Sequence, residues 1–95
     1  MLKIKLFDAI GSFAENKDIA QTIRKEQIVP ALDTNVNVEL DFLGVESTTQ
    51  SFIHALISDL IRNYGSEVLD KISFKNCNDI VKKIIGIVVE YMQES

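Results

Sequence analysis

Tryptophan is absent from this chain of 95 residues, and cysteine, proline and histidine occur once each. Cys77 alone excludes a disulfide within the chain and a multi-cysteine structural zinc site. His54 alone means that any histidine-containing catalytic triad has to be built around that one residue. A metal would then have to rely on carboxylates such as Asp41 and Glu46, which show no recognisable ligand spacing. Only four glycines occur, and neither GxxxxGK[ST] nor GxGxxG is among the runs they form, so the common phosphate-cradling loops are missing. No apolar run approaches the ~20 residues of a membrane span, and the opening MLKIKLFDAIG is too short in apolar residues for a signal peptide, so a reducing cytoplasm is the expected location.

Positive charge is also in short supply. Ten Lys and Arg face fourteen Asp and Glu, for a formal net charge of −4. Such a balance repels phosphate backbones, and the basic pairs are scattered at Lys3 and Lys5, Arg24 and Lys25, and Lys82 and Lys83. Neither nucleic acid nor an anionic membrane surface is therefore an expected partner. The last two pairs read as solvated helix faces. What the chain does have is an ordinary globular composition, 46% hydrophobic and 25% charged, which predicts one folded domain over residues 1–95 with a single core.

Residues 2–7 alternate apolar side chains with Lys3 and Lys5, the pattern of a half-buried or edge strand, and residues 8–12 read as a turn. Asn16 is a good N-cap for a first helix with Ile19, Ala20, Ile23 and Ile28 on its buried side. Pro30 predicts its end at or before Val29, with a kinked last turn through Leu32 as the alternative. Val36, Val38, Leu40 and Phe42 share one face of a second strand, opposite Asn37, Glu39 and Asp41. The second helix carries Phe52, Leu56, Leu60 and Tyr64 at i, i+4 spacing, with Ile53, Ile57 and Ile61 beside them, and Gly65 as C-cap. Residues 68–74 give a third strand, beginning near Lys71 in its shorter form. A turn at 76–79 leads to a last helix, where Ile87 and Val89 widen the apolar face beyond one stripe. That width suits burial between neighbours or a face shared with a second copy. Strand and helix alternate with short connections, so the expected fold is α/β: a small sandwich with a mainly parallel or mixed sheet of three to four strands and about three flanking helices.

The richest chemistry lies where the second strand passes into the second helix. Gly44, Val45 and Glu46 lead into Ser47, Thr48, Thr49, Gln50 and Ser51, a run of hydroxyls beside the free N–H groups of a helix start. Two accounts stand side by side. Ser47 and Gln50 have capping-box spacing, with Thr49 or Ser51 as the cap if the helix starts later. Alternatively the hydroxyls accept a phosphoryl group whose charge the helix start stabilises. His54 falls on the polar side of the helix, in line with Ser58 and Arg62, and reads as a solvated residue. Cys77 sits at a helix start, which lowers a thiol pKa, or else is a small residue buried at a turn. No nucleophile, base and orienting group converge, so a non-enzymatic protein is expected, with no cofactor and no metal.

The run VELDFLGVESTTQSFIHAL resembles the STAS-like family, relatives of the sulfate-transporter and anti-sigma-factor-antagonist domain. Leu40-Asp41-Phe42, Gly44-Val45, the hydroxyl loop and Ser51-Phe52 carry the likeness, with Tyr64-Gly65 and Ile72-Ser73-Phe74 in support. In the anti-sigma-factor antagonists the equivalent loop reads Asp-Ser-Ser-Gly, and a kinase phosphorylates a serine there to control binding to an ATPase-like anti-sigma factor. An ungapped placement sets Ser51 over the phosphoacceptor, while Thr49, Gln50 and Phe52 depart from the pattern and His54-Ala55 stands where acids are expected. The resemblance implies a regulatory protein-interaction module with a histidine-kinase-like ATPase as partner. Its phosphoacceptor candidates run Ser51, Thr49, then Ser47 and Thr48, and its contact surface takes in Gly44, Glu46, Gln50 and His54. Two other functions remain beside it: a small-anion or nucleotide site at the start of the second helix, and a homodimeric structural unit built on the last helix.

Overall fold

A computed structural model describes residues 1–94 of the chain. Strand β1, Leu2–Lys5, follows from the lysine alternation, but the chain turns helical earlier than the sequence predicts. Helix α1, Leu6–Ile10, takes up Phe7 and Asp8, because Leu6 is wholly buried and Leu6 and Ile10 lie one helical turn apart. Strand β2, Phe13–Ala14, follows, then α2, Lys17–Ile23, capped by Asn16, whose Oδ1 accepts from Asp18 N at 3.0 Å and Ile19 N at 3.3 Å.

Pro30 does not stop this helix at Val29. A π-helical segment, Arg24–Ile28, runs into α3, Val29–Asp33. In the wider turns the Val29 N–H reaches back to Arg24 O, which gives the proline ring room over a carbonyl it would strike in a regular α-helix. The chain continues through β3, Val38–Asp41, β4, Ser47–Thr48, and α4, Gln50–Tyr64. A 3₁₀ turn over Ser66–Asp70, strand β5, Ile72–Lys75, and α5, Asp79–Glu94, complete it. Strand β5 thus takes the shorter of the two expected forms. Val68 is buried instead by the 3₁₀ turn.

The main sheet is parallel, in the order β1-β3-β5. Its register sets Leu2 beside Val38 and Ile72, and Ile4 beside Leu40 and Phe74. These apolar rows face the helices, and Val38, Leu40, Phe42, Phe52 and Leu56 are completely buried between the layers. The other face carries Lys3, Glu39 and Ser73 in one row and Lys5, Asp41 and Lys75 in the next. The polar side of β3 is thereby explained: helices cover only one face, and Lys3 Nζ lies 3.6 Å from Glu39 and 3.8 Å from Asp41 on the other.

A second, two-stranded parallel sheet pairs Phe13 with Ser47 and Ala14 with Thr48. Sequence alone leaves Phe13 and Ala14 unassigned beyond the turn at residues 8–12 and reads Ser47 and Thr48 as part of a capping loop, since strands of two residues have no alternation to read. Their pairing is held by Glu46 N to Ser12 O at 2.7 Å, Thr49 N to Ala14 O at 3.2 Å and the Thr48 hydroxyl to Ala14 O at 2.8 Å.

Candidate functional site

Strand β4 decides where α4 begins. With Ser47 and Thr48 committed to the sheet, the first residue free to cap the helix is Thr49, whose Oγ1 accepts from Phe52 N at 3.1 Å. The Ser47–Gln50 box is therefore not formed, and the later start is the one adopted. Phe52 and Ile53, both fully buried, anchor the first turn. The four hydroxyl candidates then separate. Ser47 is half-buried in β4, Thr48 is 7% exposed with its hydroxyl bonded inside, and Thr49 is the cap. Ser51 is exposed, and its hydroxyl makes no hydrogen bond among the described residues.

Gln50, Ser51 and His54 lie along an open groove of about 560 Å³. Helix α4 forms its floor with Ala55, Ser58, Asp59 and Arg62, α2 gives one wall through Lys17 and Gln21, and α5 gives the other through Ile87, Val88 and Tyr91. Gly44 and Glu46 are not part of it. Gly44 has φ +88°, and a Cβ there would stand 2.9 Å from the Phe7 ring. The Glu46 carbonyl accepts from Asn78 Nδ2 at 2.7 Å, and Asn78 in turn caps α5 through Val81 N at 2.9 Å. The expected contact surface is thus divided between the groove and the junction of α1 with the β3–β4 loop.

Within the groove His54, Ser58 and Arg62 do not form one solvated row. Ser58 is 3% exposed, His54 is half-buried, and Ser58 Oγ lies 3.3 Å from His54 Nδ1. Arg24 also departs from the solvated reading. It is 7% exposed, donates to Ala55 O on α4, and holds Asp59 at 3.2 Å. Arg62 reaches the same carboxylate at 3.2 Å. Arg24 stands four residues from both Ala20 and Ile28, inside the buried stripe, and that position was the available signal that its guanidinium points inward. Lys17, Arg24 and Arg62 outnumber Asp59 along the groove, so the groove is cationic in a chain of net negative charge.

At the carboxyl end of β3, Asp41 is 4% exposed and accepts from Leu43 N and Asn76 Nδ2, both at 2.9 Å. The Asn76 amide first, then the Leu43 N–H, hold its carboxyl below the usual value of 3.8. Cys77 is half-buried at the turn into α5, and burial pushes its thiol upward, so the buried-turn reading applies and not activation by the helix start. Among the described residues no group of three or more His, Cys, Asp or Glu is placed to hold a metal ion, and no helix is long and apolar enough to cross a membrane.

Comparison with curated proteins and with solved structures finds no match to this chain. Comparison with known families matches residues 20–82 to the one described as a STAS-like domain of unknown function, DUF4325. The matched region contains the Arg24–Asp59 contact, the hydroxyl run and all of α4, and stops before Ile87, Val88 and Tyr91 in α5. It spans well over half of the chain and agrees with the α/β layering and the parallel sheet, so the chain belongs to this family of STAS-like domains.

Proposed function

We propose that this STAS-like domain is a non-enzymatic regulatory module that docks a protein partner in the groove over α4, with Ser51 as its control point. The observation that carries the reading is the Ser51 hydroxyl: exposed, without a partner among the described residues, in the first turn of a 15-residue helix and on the rim of the groove. A phosphoryl group there brings roughly −1.5 to −2 charges, which the helix start accommodates, in a groove whose facing wall carries Lys17. It also changes what the groove accepts. A partner that seats apolar side chains against Ile87 and Tyr91 has to desolvate the phosphate as it docks. Thr49 is second in line, because its hydroxyl already serves the helix cap. Ser47 and Thr48 stand behind it, tied into β4. The resemblance to anti-sigma-factor antagonists supplies the partner class, a histidine-kinase-like ATPase.

The test is capture of partners from native cells by the tagged chain, with wild type, Ser51→Ala, Ser51→Asp and a Thr49→Asp plus Ser51→Asp double variant in parallel. An ATPase-type protein held by wild type and Ser51→Ala and lost with the aspartates is expected. With the partner purified, Ser51→Asp should weaken binding at least ~10-fold, equivalent to ~1.4 kcal/mol. Equal retention by wild type and both aspartate variants would refute a switch at this loop.

A further inference from the structure

Helix α5 carries two apolar stripes. Val81, Ile85, Val88 and Met92 follow i, i+4, i+7, i+11 spacing and are buried. Ile80, Ile84, Ile87 and Tyr91 repeat that spacing one residue earlier and point outward. Ile80 is 56% exposed, Ile87 39% and Tyr91 66%, with Ile84 half-buried. Alternating steps of four and three are the seam of a two-helix pairing, in which such positions form the a and d layers.

The flanks of this stripe say what covers it. Lys83 and Glu90 are both exposed and stand seven residues apart, each just before a seam residue, so they share one flank. The other flank consists of Val81 and Val88, which are turned into the chain's own core. Laid antiparallel on a second copy, Ile84 meets Ile87 of the partner subunit and Ile80 meets Tyr91 of the partner subunit. Lys83 then falls beside Glu90 of the partner subunit, and the reciprocal pair forms at the other end. A parallel arrangement sets Lys83 and Glu90 against the valine flank, where no charge answers them. The stripe is thus its own complement in shape and in charge, as an isologous two-fold contact requires.

We propose that two copies of this chain associate through the outward stripe of α5, antiparallel about a two-fold axis, with Lys83–Glu90 pairs closing both ends of the seam. Ile87 and Tyr91 also wall the groove over α4. Self-association and docking of another protein therefore draw on the same side chains, and each excludes the other.

Sedimentation equilibrium of the full chain from about 1 µM to about 1 mM tests this, because a reversible dimer changes its mass with dilution. Wild type is expected to shift from monomer to dimer over that range. Ile80→Glu suits the first turn of a helix and keeps the fold, yet sets a carboxylate against Tyr91 of the partner subunit, so dimerisation should weaken at least tenfold. Tyr91→Ser, at a largely exposed position, gives the same outcome should Ile80→Glu melt early. Lys83→Glu and Glu90→Lys each bring like charges together and weaken the dimer, while the double exchange restores it. A monomer at every concentration overturns the proposal, as does a dimer indifferent to both seam variants. A double exchange no better than either single one overturns the antiparallel register.

Discussion

Replacing Thr49 by alanine separates structural from regulatory hydroxyls in the loop before α4. The Thr49 Oγ1 satisfies the Phe52 N–H at 3.1 Å in a part-buried setting. Alanine leaves that donor to whatever water can reach it, a loss of about 1 kcal/mol for a helix cap, within a range of about 0.5–2. Phe52 and Ile53 tie this turn to the core, so the loss should register in global unfolding and not merely as fraying. For a domain of this size ~1 kcal/mol lowers the melting temperature by about 4–8 °C. Ser51→Ala and Ser47→Ala should each stay within about 0.5 kcal/mol of wild type, since neither side chain holds a hydrogen bond among the described residues. Thr49→Asp should keep the cap and gain slightly from the helix dipole. The assay is thermal and urea unfolding followed by circular dichroism, with unchanged m-values. Destabilisation by Ser47→Ala equal to that by Thr49→Ala would restore the capping box and refute the placement of the helix start. An equal effect from Ser51→Ala would remove the distinction on which its regulatory role rests.

Two further perturbations test the packing around the groove and the strand ends. Asp59→Ala strands the buried Arg24 guanidinium, although Ala55 O remains as an acceptor and Asp59 is 42% exposed. The expected cost is about 1–2 kcal/mol by urea titration, shrinking as salt is added. Loss of nothing measurable would mean that Arg24 does not depend on this carboxylate. Asp41 has its folded pKa held below 3.8, so its ionised form contributes stability that is complete above the ordinary value and disappears as the pH falls through the folded one. Urea midpoints between about pH 2 and 5 should therefore fall less steeply in Asp41→Asn than in wild type, and identical slopes would show that the Asn76 and Leu43 contacts do not favour the charged form.

The alternation of strands and helices was legible because each main element carries a full period of apolar residues. Leu2 and Ile4, Val38 and Leu40, and the double row on α4 left no other assignment. What escaped was set by contacts between distant segments. Strands β2 and β4 exist only because they find one another, and nothing in Phe13–Ala14 or Ser47–Thr48 alone announces it. Once β4 forms, the choice of cap among four hydroxyls is settled by position and not by residue type. The π segment likewise answers a proline whose local preference is to end a helix, and the packing of Arg24 and Ile28 outweighs that preference. The sequence offers Ser51 and His54 separately, Ser51 as a phosphoacceptor candidate and His54 as a residue of the contact surface. The α2 and α5 walls that turn them into a groove were not legible, since Lys17 and Tyr91 lie far away in sequence.

The uncovered face of the main sheet has a consequence for how this chain meets others. Its outer strands present the exposed Lys3, Lys5 and Lys75, while Glu39 and Asp41 on the middle strand are largely covered, with Lys3 held beside both. A copy laid face to face would press lysine on lysine along the margins, a cost that salt relieves. The same lysines sit on both edge strands, where they discourage lengthening of the sheet by a further chain. The surface is self-avoiding on one side. The proposed contact between copies lies on the opposite, helical side, with Ser51, the groove and the apolar stripe of α5.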